Sequence, residues 1–456
     1  MMKEKTERIF FSGIGGSGLS AIAGLMAERG HKVSGSDRAF DMTPDHPLKK
    51  IFQSKGITIV PQDGTGLDNS FDLAVFSTAV EKDKPEVIKA AQLGIPAKTR
   101  PEYLAEIVEQ FSTIAVAGTS GKSTASGMLA YLSKRLGLKP NFIGGGRVKD
   151  FRSQVNPGNY IAGDSDSLII EACESDGTIV NYRPRHSIIL NLGLDHNPVD
   201  KTAGMFRVFM ANTTGTKIVN ADDEELMKID LGRVVTFSID NPSDYKAEAV
   251  RYGTLGTEFR LRNTGFRISL PGKYNLYNAL SCISLLHETG TSLDQIAALL
   301  PEFRGIERRF DIHLNDERGI VIDDYAHNPD KISAFMSAMK QLGDGICYIF
   351  QPHGFGPTRL MKKGYIETFV KNLRDTDHLF LLPIFYSGGT AAKDISSNDL
   401  AEGIRSAGRS VEVIEDRRTV LERIGQWRIY TVFGARDESL SSYAEEIAGA
   451  LKQRRA

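Results

Sequence analysis

The sequence predicts an α/β protein whose chain divides into three domains. Short apolar segments alternate with longer amphipathic segments along all 456 residues. Uniformly apolar strands are typical of parallel sheets covered on both faces. The chain is too long for one core, since single cores rarely serve more than about 250 residues. The predicted strands are Arg8–Ile14, Leu73–Ser77, Thr113–Thr119, Leu168–Cys173, Ser187–Leu192, Lys217–Asn220, Gly319–Asp324, Cys347–Gln351, His378–Pro383 and Arg428–Phe433.

Breaks in this pattern divide the chain into three predicted domains. We expect the first domain over residues 1–111, ending after a predicted helix at Pro101–Gln110. The second is expected over 112–306 and the third over 307–456. Within the second domain, Val234–Leu270 alternates apolar and polar residues between Gly, Asn and Pro breaks, which predicts an antiparallel extension of the sheet.

Composition and charge exclude several classes of function. The 56 basic and 57 acidic residues leave a net charge of −1, so nothing suggests a nucleic-acid or anionic-membrane surface. No apolar run approaches the roughly 18 residues that cross a bilayer, and the charged N-terminus does not resemble a signal peptide. We therefore expect a cytoplasmic protein with small-molecule ligands. Cys173, Cys282 and Cys347 lie far apart and predict buried thiols in a reducing compartment.

The segment GTSGKST is the sharpest local signal. It follows a predicted strand and precedes a predicted helix, an arrangement that surrounds phosphate oxygens with backbone N–H groups and the positive end of a helix. Lys122 is placed to reach β- and γ-phosphates, and the Ser123 hydroxyl can bind Mg²⁺. The loop is two residues shorter than the standard pattern, and an ordinary strand–helix turn is the alternative. Its residues are Gly118, Thr119, Ser120, Gly121, Lys122, Ser123 and Thr124.

A second glycine loop follows the first strand and matches G-x-G-x-x-G. Asp37 ends the next predicted strand, as in dinucleotide-binding folds. The pattern predicts a phosphate at a helix N-terminus without distinguishing NAD from another ligand, and a purely structural turn is the alternative. The loop contains Gly13, Gly15, Gly16, Ser17 and Gly18.

Acidic residues follow an apolar strand of the second domain. Glu171, Glu174 and Asp176 stand where parallel sheets bind ligands, and Mg²⁺ prefers such oxygen donors. A solvated acidic loop is the alternative. His196 ends another strand of the same predicted sheet, which favours a role facing the metal.

A fourth cluster opens the third domain. Arg309 precedes a strand that ends in Asp324, Tyr325 and His327, and His353 ends the next strand. Arginine suits the charge that develops in phosphoryl transfer. The alternative is a surface arginine pair followed by a helix cap.

Together these motifs resemble the Mur ligases, and within them the branch that adds L-alanine to UDP-N-acetylmuramate. The order and spacing of many motifs carry the resemblance. They are FFSGIGGSGLSAIAGLM, VSGSD, FSTAVEKDKPEV, TRPEYLAEIV, GTSGKST, EACESD, LGLDHNP, PGKYNLYNAL, GIERRFD, DDYAHNP and QPHGF.

The resemblance implies three domains: a Rossmann-like N-terminal domain, a central P-loop ATPase domain and a Rossmann-like C-terminal domain. It also implies an ATP- and Mg²⁺-dependent ligase of peptidoglycan precursor synthesis, a monomer or homodimer, that activates a carboxylate as an acyl phosphate. It assigns the UDP substrate to the first glycine loop with Asp37, Ser77 and Thr78. It assigns ATP to the P-loop with Asn275, Asn278, Arg309 and Asp324. It assigns metal to Ser123, Glu171 (with Glu174 as competitor) and His196. It assigns the amino acid to Tyr325, His327, His353 and Arg359. The catalytic residues implied are Lys122, Glu171, His196, Arg309, His327 and His353.

The chain departs from the family pattern mainly on the amino-acid side. Gly354 and Gly356 stand in a stretch where the family carries arginines, with Arg359 the nearest, and FGARDESL replaces a glycine-rich turn. Ser120 stands where the L-alanine branch has histidine. A ligase for another amino acid or a recycled peptide is therefore one alternative. The others are an NAD-dependent oxidoreductase and a non-catalytic UDP-sugar-binding regulator.

Overall fold

A computed structural model describes residues 6–194, 197–253, 256–386 and 392–454 and confirms the α/β class. The chain forms two compact units, Met1–Gly305 and Ile306–Ala456. The strands are β1 (Arg8–Ser12), β2 (Lys32–Ser36), β3 (Thr58–Ile59), β4 (Leu73–Phe76), β5 (Ala97–Thr99), β6 (Ser112–Ala117), β7 (Asn141–Ile143), β8 (Tyr160–Ile161), β9 (Ser167–Glu171), β10 (His186–Ile189), β11 (Lys217–Asn220), β12 (Val235–Ser238), β13 (Tyr245–Gly253), β14 (Gly256–Leu261), β15 (Thr264–Ile268), β16 (Asp311–Asp316), β17 (Gly319–Asp324), β18 (Ile346–Gln351), β19 (His378–Leu381), β20 (Val411–Val413) and β21 (Ile429–Gly434). The helices are α1 (Ser17–Glu28), α2 (Arg38–Met42), α3 (Pro47–Ser54), α4 (Pro85–Leu93), α5 (Arg100–Gln110), α6 (Lys122–Arg135), α7 (Val199–Asn212), α8 (Glu224–Met227), α9 (Lys273–Glu288), α10 (Leu293–Leu299), α11 (Pro329–Lys340), α12 (Phe355–Asn372), α13 (Ser397–Ser406), α14 (Arg418–Leu421) and α15 (Ser439–Gln453).

The first unit contains two sheets. The N-terminal sheet is parallel, in the order β3-β2-β1-β4-β5. Its central strand, β1, is apolar on both faces. Phe10 packs edge-on against Phe71, and the ring centroids of Phe11 and Tyr103 are 6.2 Å apart. Burial on both faces explains the continuous apolar run that predicted this strand.

The second sheet of this unit has the order β15-β14-β13-β12-β11-β10-β6-β9-β7-β8. The predicted antiparallel extension over Val234–Leu270 is correct only in part. Strand β12 runs parallel to both β11 and β13, and the antiparallel ladder comprises β13, β14 and β15. Strands β13, β14 and β15 follow one another closely in the chain, and each pairs antiparallel with the next, as consecutive strands with short connections do.

Helix α1 joins the two sheets of the first unit. A Cβ atom at Gly24 would lie 2.2 Å from the Tyr160 ring of β8, so only glycine permits this approach. Beside it, Asn159 donates hydrogen bonds from Nδ2 to the carbonyl of Ser17 and the hydroxyl of Ser20, at 2.9 and 2.8 Å. Helix α1 therefore packs on both sheets.

The second unit is built on a sheet in the order β16-β17-β21-β18-β19-β20, in which β16 is antiparallel and the other strands are parallel. Strand β21 lies between β17 and β18, with Phe433 beside Asp324 and Gly434 beside Gln351. The carboxyl ends of these three strands therefore meet at one edge of the sheet.

Several predicted strands end earlier than expected, because the chain turns away from the sheet where the loops begin. Strand β1 stops at Ser12, before Gly13 at φ +82°, and β6 stops at Ala117, before Gly118 at φ +137°. The prediction that all three cysteines are buried is wrong for Cys173, which is half-exposed beyond the end of β9. Within the described residues, no helix is long and apolar enough to span a membrane.

Candidate functional site

The P-loop connects β6 to α6 and is held by a neighbouring strand. The N-cap of α6 is Gly121 at φ +87°, where a Cβ atom would lie 2.5 Å from Oδ1 of Asn278. The backbone N–H of Ser120 donates to Oδ1 of Asn191 at 2.8 Å, and Asn191 Nδ2 donates back to the Ser120 carbonyl at 3.0 Å. Thr119 Oγ1 accepts from the N–H of Gly193 at 2.8 Å. The loop is therefore held in place by the residues that follow β10.

Sequence reasoning missed Asn191. The signal that reveals it is a polar residue directly after a buried strand, here β10, which pairs with β6. Polar residues at this edge of a parallel sheet lie close to the ligand and to the loop that holds it.

Lys122 begins α6 and forms an ion pair with Glu174. Its Nζ lies 2.8 Å from Oε2 of Glu174, and both side chains are nearly inaccessible to solvent. Nζ also donates to the carbonyls of Gly118 and Thr119, at 2.5 and 3.3 Å. The ammonium group is thus curled over the loop, with its charge balanced by one carboxylate.

Glu171 ends β9 and contacts different groups from Glu174. Its Oε2 accepts hydrogen bonds from the Ser123 hydroxyl at 2.9 Å and from the N–H of Gly145 at 3.0 Å. A hydroxyl and a carboxylate side by side fit Mg²⁺, which takes oxygen ligands and completes its shell with phosphates and water. Within the described ranges, no three His, Cys, Asp or Glu side chains meet as a metal site. His196 lies outside the described residues.

The two asparagines expected near adenine lie on α9, beside the P-loop. Asn275 Nδ2 donates to the carbonyl of Pro271 at 2.8 Å, and the Asn275 and Asn278 side chains approach to 3.5 Å. Asn278 is buried against Gly121, whereas Asn275 is half-exposed. The structure therefore brings this pair to the P-loop.

The first glycine loop is closed by Asp37 and Ser77. Oδ2 of Asp37 accepts from the N–H of Gly15 at 2.8 Å, and its Oδ1 caps α2 by accepting from Ala39. A Cβ atom at Gly13 would lie 2.8 Å from Cβ of Ser77. The loop enters α1 through Gly16, Ser17 and Gly18, and Thr78 is exposed beside it.

An arginine that sequence reasoning missed lies beside this loop. The side chain of Arg100, at the start of α5, lies 3.0 Å from where a Cβ atom of Gly18 would stand. Its Nη2 donates to Oδ2 of Asp176 at 2.7 Å, which links the first loop to the acidic segment after β9. Its only sequence signal is the TRPEY motif at a predicted helix start.

In the second unit, Asp324 organises the segment that carries the arginine pair. Its carboxylate accepts from the N–H groups of Phe310 and Ala326, both at 2.7 Å, and burial raises its pKa. Arg308 and Arg309 each place a guanidinium about 5 Å from the centroid of the Tyr325 ring, at 5.2 and 5.1 Å.

The interpretation of the two arginines as a surface pair is wrong for one of them. Arg308 is buried and donates to the carbonyls of Gly434 and Asp437, at 2.5 and 3.0 Å. Arg309 is exposed. Only Arg309 is therefore available to a ligand.

The two histidines lie together beyond β17 and β18. The His327 and His353 ring centroids are 5.3 Å apart, and Nδ1 of His327 is 2.9 Å from the carbonyl of Tyr325. Burial lowers the pKa of His327 to about 4 and also lowers the pKa of His353. His327 is therefore neutral at pH 7 and can accept a hydrogen bond.

Arg359 is exposed on α12 and already paired. Its Nη2 donates to the carbonyl of Ala392 at 3.1 Å and contacts the carboxylate of Asp394. Within the described part of the chain it makes no hydrogen bond or ion pair with His327 or His353. The structure therefore does not bring Arg359 together with the histidines.

Comparison with known proteins identifies three successive family matches. Residues 8–112 match the "Mur ligase family, catalytic domain", residues 116–286 the "Mur ligase middle domain" and residues 308–428 the "Mur ligase, glutamate ligase domain".

Relatives match over nearly the whole chain. The UDP-N-acetylmuramate–L-alanine ligase of Aquifex aeolicus is 32% identical over 98% of both chains. That of Thermosynechococcus vestitus is 33% identical over 93% of this chain and 91% of its own. The crystal structure of the UDP-N-acetylmuramate–alanine ligase from Thermotoga maritima is 25% identical, with a TM-score of 0.80 over 98% of this chain and 100% of its own. A murein peptide ligase from Psychrobacter arcticus shares the fold, at 23% identity and a TM-score of 0.68 over 99% and 100%.

Proposed function

Because this chain belongs to the Mur ligase family of ATP-dependent, ADP-forming amide ligases, we propose that it joins L-alanine to the carboxylate of UDP-N-acetylmuramate in peptidoglycan precursor synthesis. The observation that carries the proposal is relatives of that activity at 30% identity or more over at least nine tenths of the chain. The intact P-loop and its acidic partners support it.

The proposed reaction overcomes the low reactivity of a carboxylate. The carboxylate takes the γ-phosphoryl group of ATP, giving an acyl phosphate and ADP. The amine of L-alanine then attacks the acyl carbon, an amide bond forms, inorganic phosphate leaves and a proton is released. Positioning of the reactants and stabilisation of charge supply most of the acceleration in phosphoryl transfer.

In the first unit, we assign the triphosphate to the P-loop. Lys122 would exchange its contact with Glu174 for phosphate oxygens and stabilise the negative charge that develops on them. Ser123 and Glu171 would hold Mg²⁺, which neutralises phosphate charge when bound. The first glycine loop, with Ser77, would bind the diphosphate of UDP.

In the second unit, we assign phosphoryl charge to Arg309 and the amine to the histidine pair. Neutral His327 can accept a hydrogen bond from the amine and so orient it for attack on the acyl carbon. Tyr325 holds the Arg309 guanidinium against its ring face, a contact that orients the cation.

A phosphate-release assay tests the function. Purified protein with ATP, Mg²⁺ and UDP-N-acetylmuramate is expected to release phosphate when L-alanine is added, more strongly than with other amino acids. Stimulation by a different amino acid or a peptide alone would refute L-alanine specificity and leave the ligase chemistry. Tight, saturable binding of NADH in place of the UDP substrate would favour the oxidoreductase alternative.

A ligase for another amine remains the second candidate. The observation in its favour is Gly354 and Gly356, which leave the start of α12 without the arginines expected there. The assay above, run across amino acids and peptides, separates the two.

Replacing Glu171 tests the metal assignment. We expect Glu171→Gln to raise the Mg²⁺ concentration for half-maximal rate on the order of 10-fold or more, since it removes a charged ligand. Glu174→Gln is the comparison, because that side chain contacts Lys122 instead of Ser123. A larger increase in the Mg²⁺ concentration for half-maximal rate in the Glu174 variant would show that Glu174, and not Glu171, is the metal ligand.

A further inference from the structure

The geometry points to Arg436 as the residue that binds the carboxylate of the amine substrate and so determines specificity for an α-amino acid. This inference rests on the proposed function. Arg436 follows β21, which lies between β17 and β18, the strands that precede His327 and His353. Its place at the carboxyl edge of the sheet puts it among the groups assigned to the amine.

Arg436 is held in a conformation that arginine rarely adopts. Its φ is +71°, in the left-handed region where a side chain other than glycine is disfavoured. Strained residues of this kind persist where the surroundings hold them, and they occur often at ligand sites.

The turn is held from both sides. The buried Arg308 guanidinium binds the carbonyls of Gly434 and Asp437, which flank Arg436. Asp437 in turn accepts from the N–H of Ser439 at 2.9 Å and pairs with Arg417 at 2.7 Å. These contacts fix the backbone and leave the Arg436 side chain to point away from the core.

The Arg436 guanidinium is available to a ligand. It is exposed and forms no hydrogen bond or ion pair with any residue in the described ranges. Its charge is close enough to His353 to contribute to lowering the pKa of that histidine. Arg359, by contrast, is engaged by Asp394.

The guanidinium group of Arg436 determines which kind of ligand it can bind. A guanidinium without another partner can form two parallel hydrogen bonds with a carboxylate, a geometry that lysine cannot reproduce. An α-amino acid presents its carboxylate two bonds from the attacking nitrogen. Arg436, at the same sheet edge as the histidine pair, would therefore hold the carboxylate while a neutral imidazole accepts a hydrogen bond from the amine.

The test uses Arg436→Gly, which removes the guanidinium and relieves the strain at once. The variant should melt at or above the wild-type temperature, because glycine adopts φ near +70° freely. The KM for L-alanine should rise about 10- to 100-fold, which is the effect expected from loss of a hydrogen bond between charged groups. The KM values for ATP and for UDP-N-acetylmuramate should stay unchanged. Arg436→Lys should recover part of the loss.

L-Alaninamide, which lacks the carboxylate, separates this role from a structural one. Wild type should prefer L-alanine over the amide, and Arg436→Gly should abolish that preference without weakening use of the amide. Arg262→Gly is the matched control, since Arg262 also has positive φ, +54°, but lies in a hairpin of the first unit. It should leave every KM unchanged.

An unchanged KM for L-alanine in Arg436→Gly would overturn the inference, as would a rise seen only in Arg359→Ala. The proposed function fails separately, if L-alanine does not stimulate phosphate release by wild type. In that case the same comparison is made with the amine that wild type does use, in its carboxylate and amide forms. Equal use of the two forms by wild type would also overturn the inference.

Discussion

Lys122→Ala is expected to reduce turnover about 10³-fold or more, while the affinity for UDP-N-acetylmuramate changes little. The lysine is the cation of the P-loop, and groups that stabilise charge in phosphoryl transfer have effects of this size. The UDP substrate is assigned to the other glycine loop, in a different sheet of the same unit. Turnover is measured by phosphate release and UDP-substrate affinity by calorimetry. Loss of both together, in a folded variant, would contradict two separate nucleotide sites.

The control for this prediction uses the ion pair between Lys122 and Glu174. Lys122 is 9% exposed and Glu174 3%, so the alanine variant leaves a buried carboxylate without its partner, at a cost of about 3–5 kcal/mol. Lys122→Ala combined with Glu174→Gln removes the unpaired charge and should recover the melting temperature. Recovery of turnover in the double variant would show that Lys122 acts only in folding.

Gly15→Val is expected to lower the affinity for UDP-N-acetylmuramate at least about 100-fold and to leave ATP binding intact. A Cβ atom at Gly15 would lie 2.8 Å from Oδ2 of Asp37, so the branched side chain would displace this carboxylate and occupy the space over the loop. Overpacking and lost backbone hydrogen bonds to phosphate both contribute. Calorimetry with each nucleotide separates the two affinities.

Gly204→Val is the matched control. Gly204 lies on α7 of the same unit, and a Cβ atom there would meet nothing within 4 Å. The variant should bind both nucleotides as wild type does. If Gly15→Val binds the UDP substrate normally, the first glycine loop does not hold its diphosphate.

The sequence by itself determined the fold class and the positions of the loops. A buried parallel strand requires an apolar run, and a phosphate loop requires glycines at fixed spacing, so both leave local signals. Strands β11 and β17 have the predicted bounds. Most of the other predicted strands extend beyond the ends of the observed strands. Residues such as Gly13 and Gly118 turn the chain there, and an apolar pattern does not reveal a backbone dihedral angle.

The tertiary structure alone decided which partners these residues have. Glu171 and Glu174 are the same residue type and lie three residues apart, so the sequence does not distinguish them as metal ligands. Glu171 contacts Ser123 because it ends β9, whereas Glu174, in the turn after that strand, contacts Lys122. Asn191 reaches the P-loop only because β10 pairs with β6. Arg436 comes to the same sheet edge as His353 only because β21 pairs with β17 and β18, which are far away in sequence. Contacts between strands distant in the chain depend on sheet order, which no local pattern records.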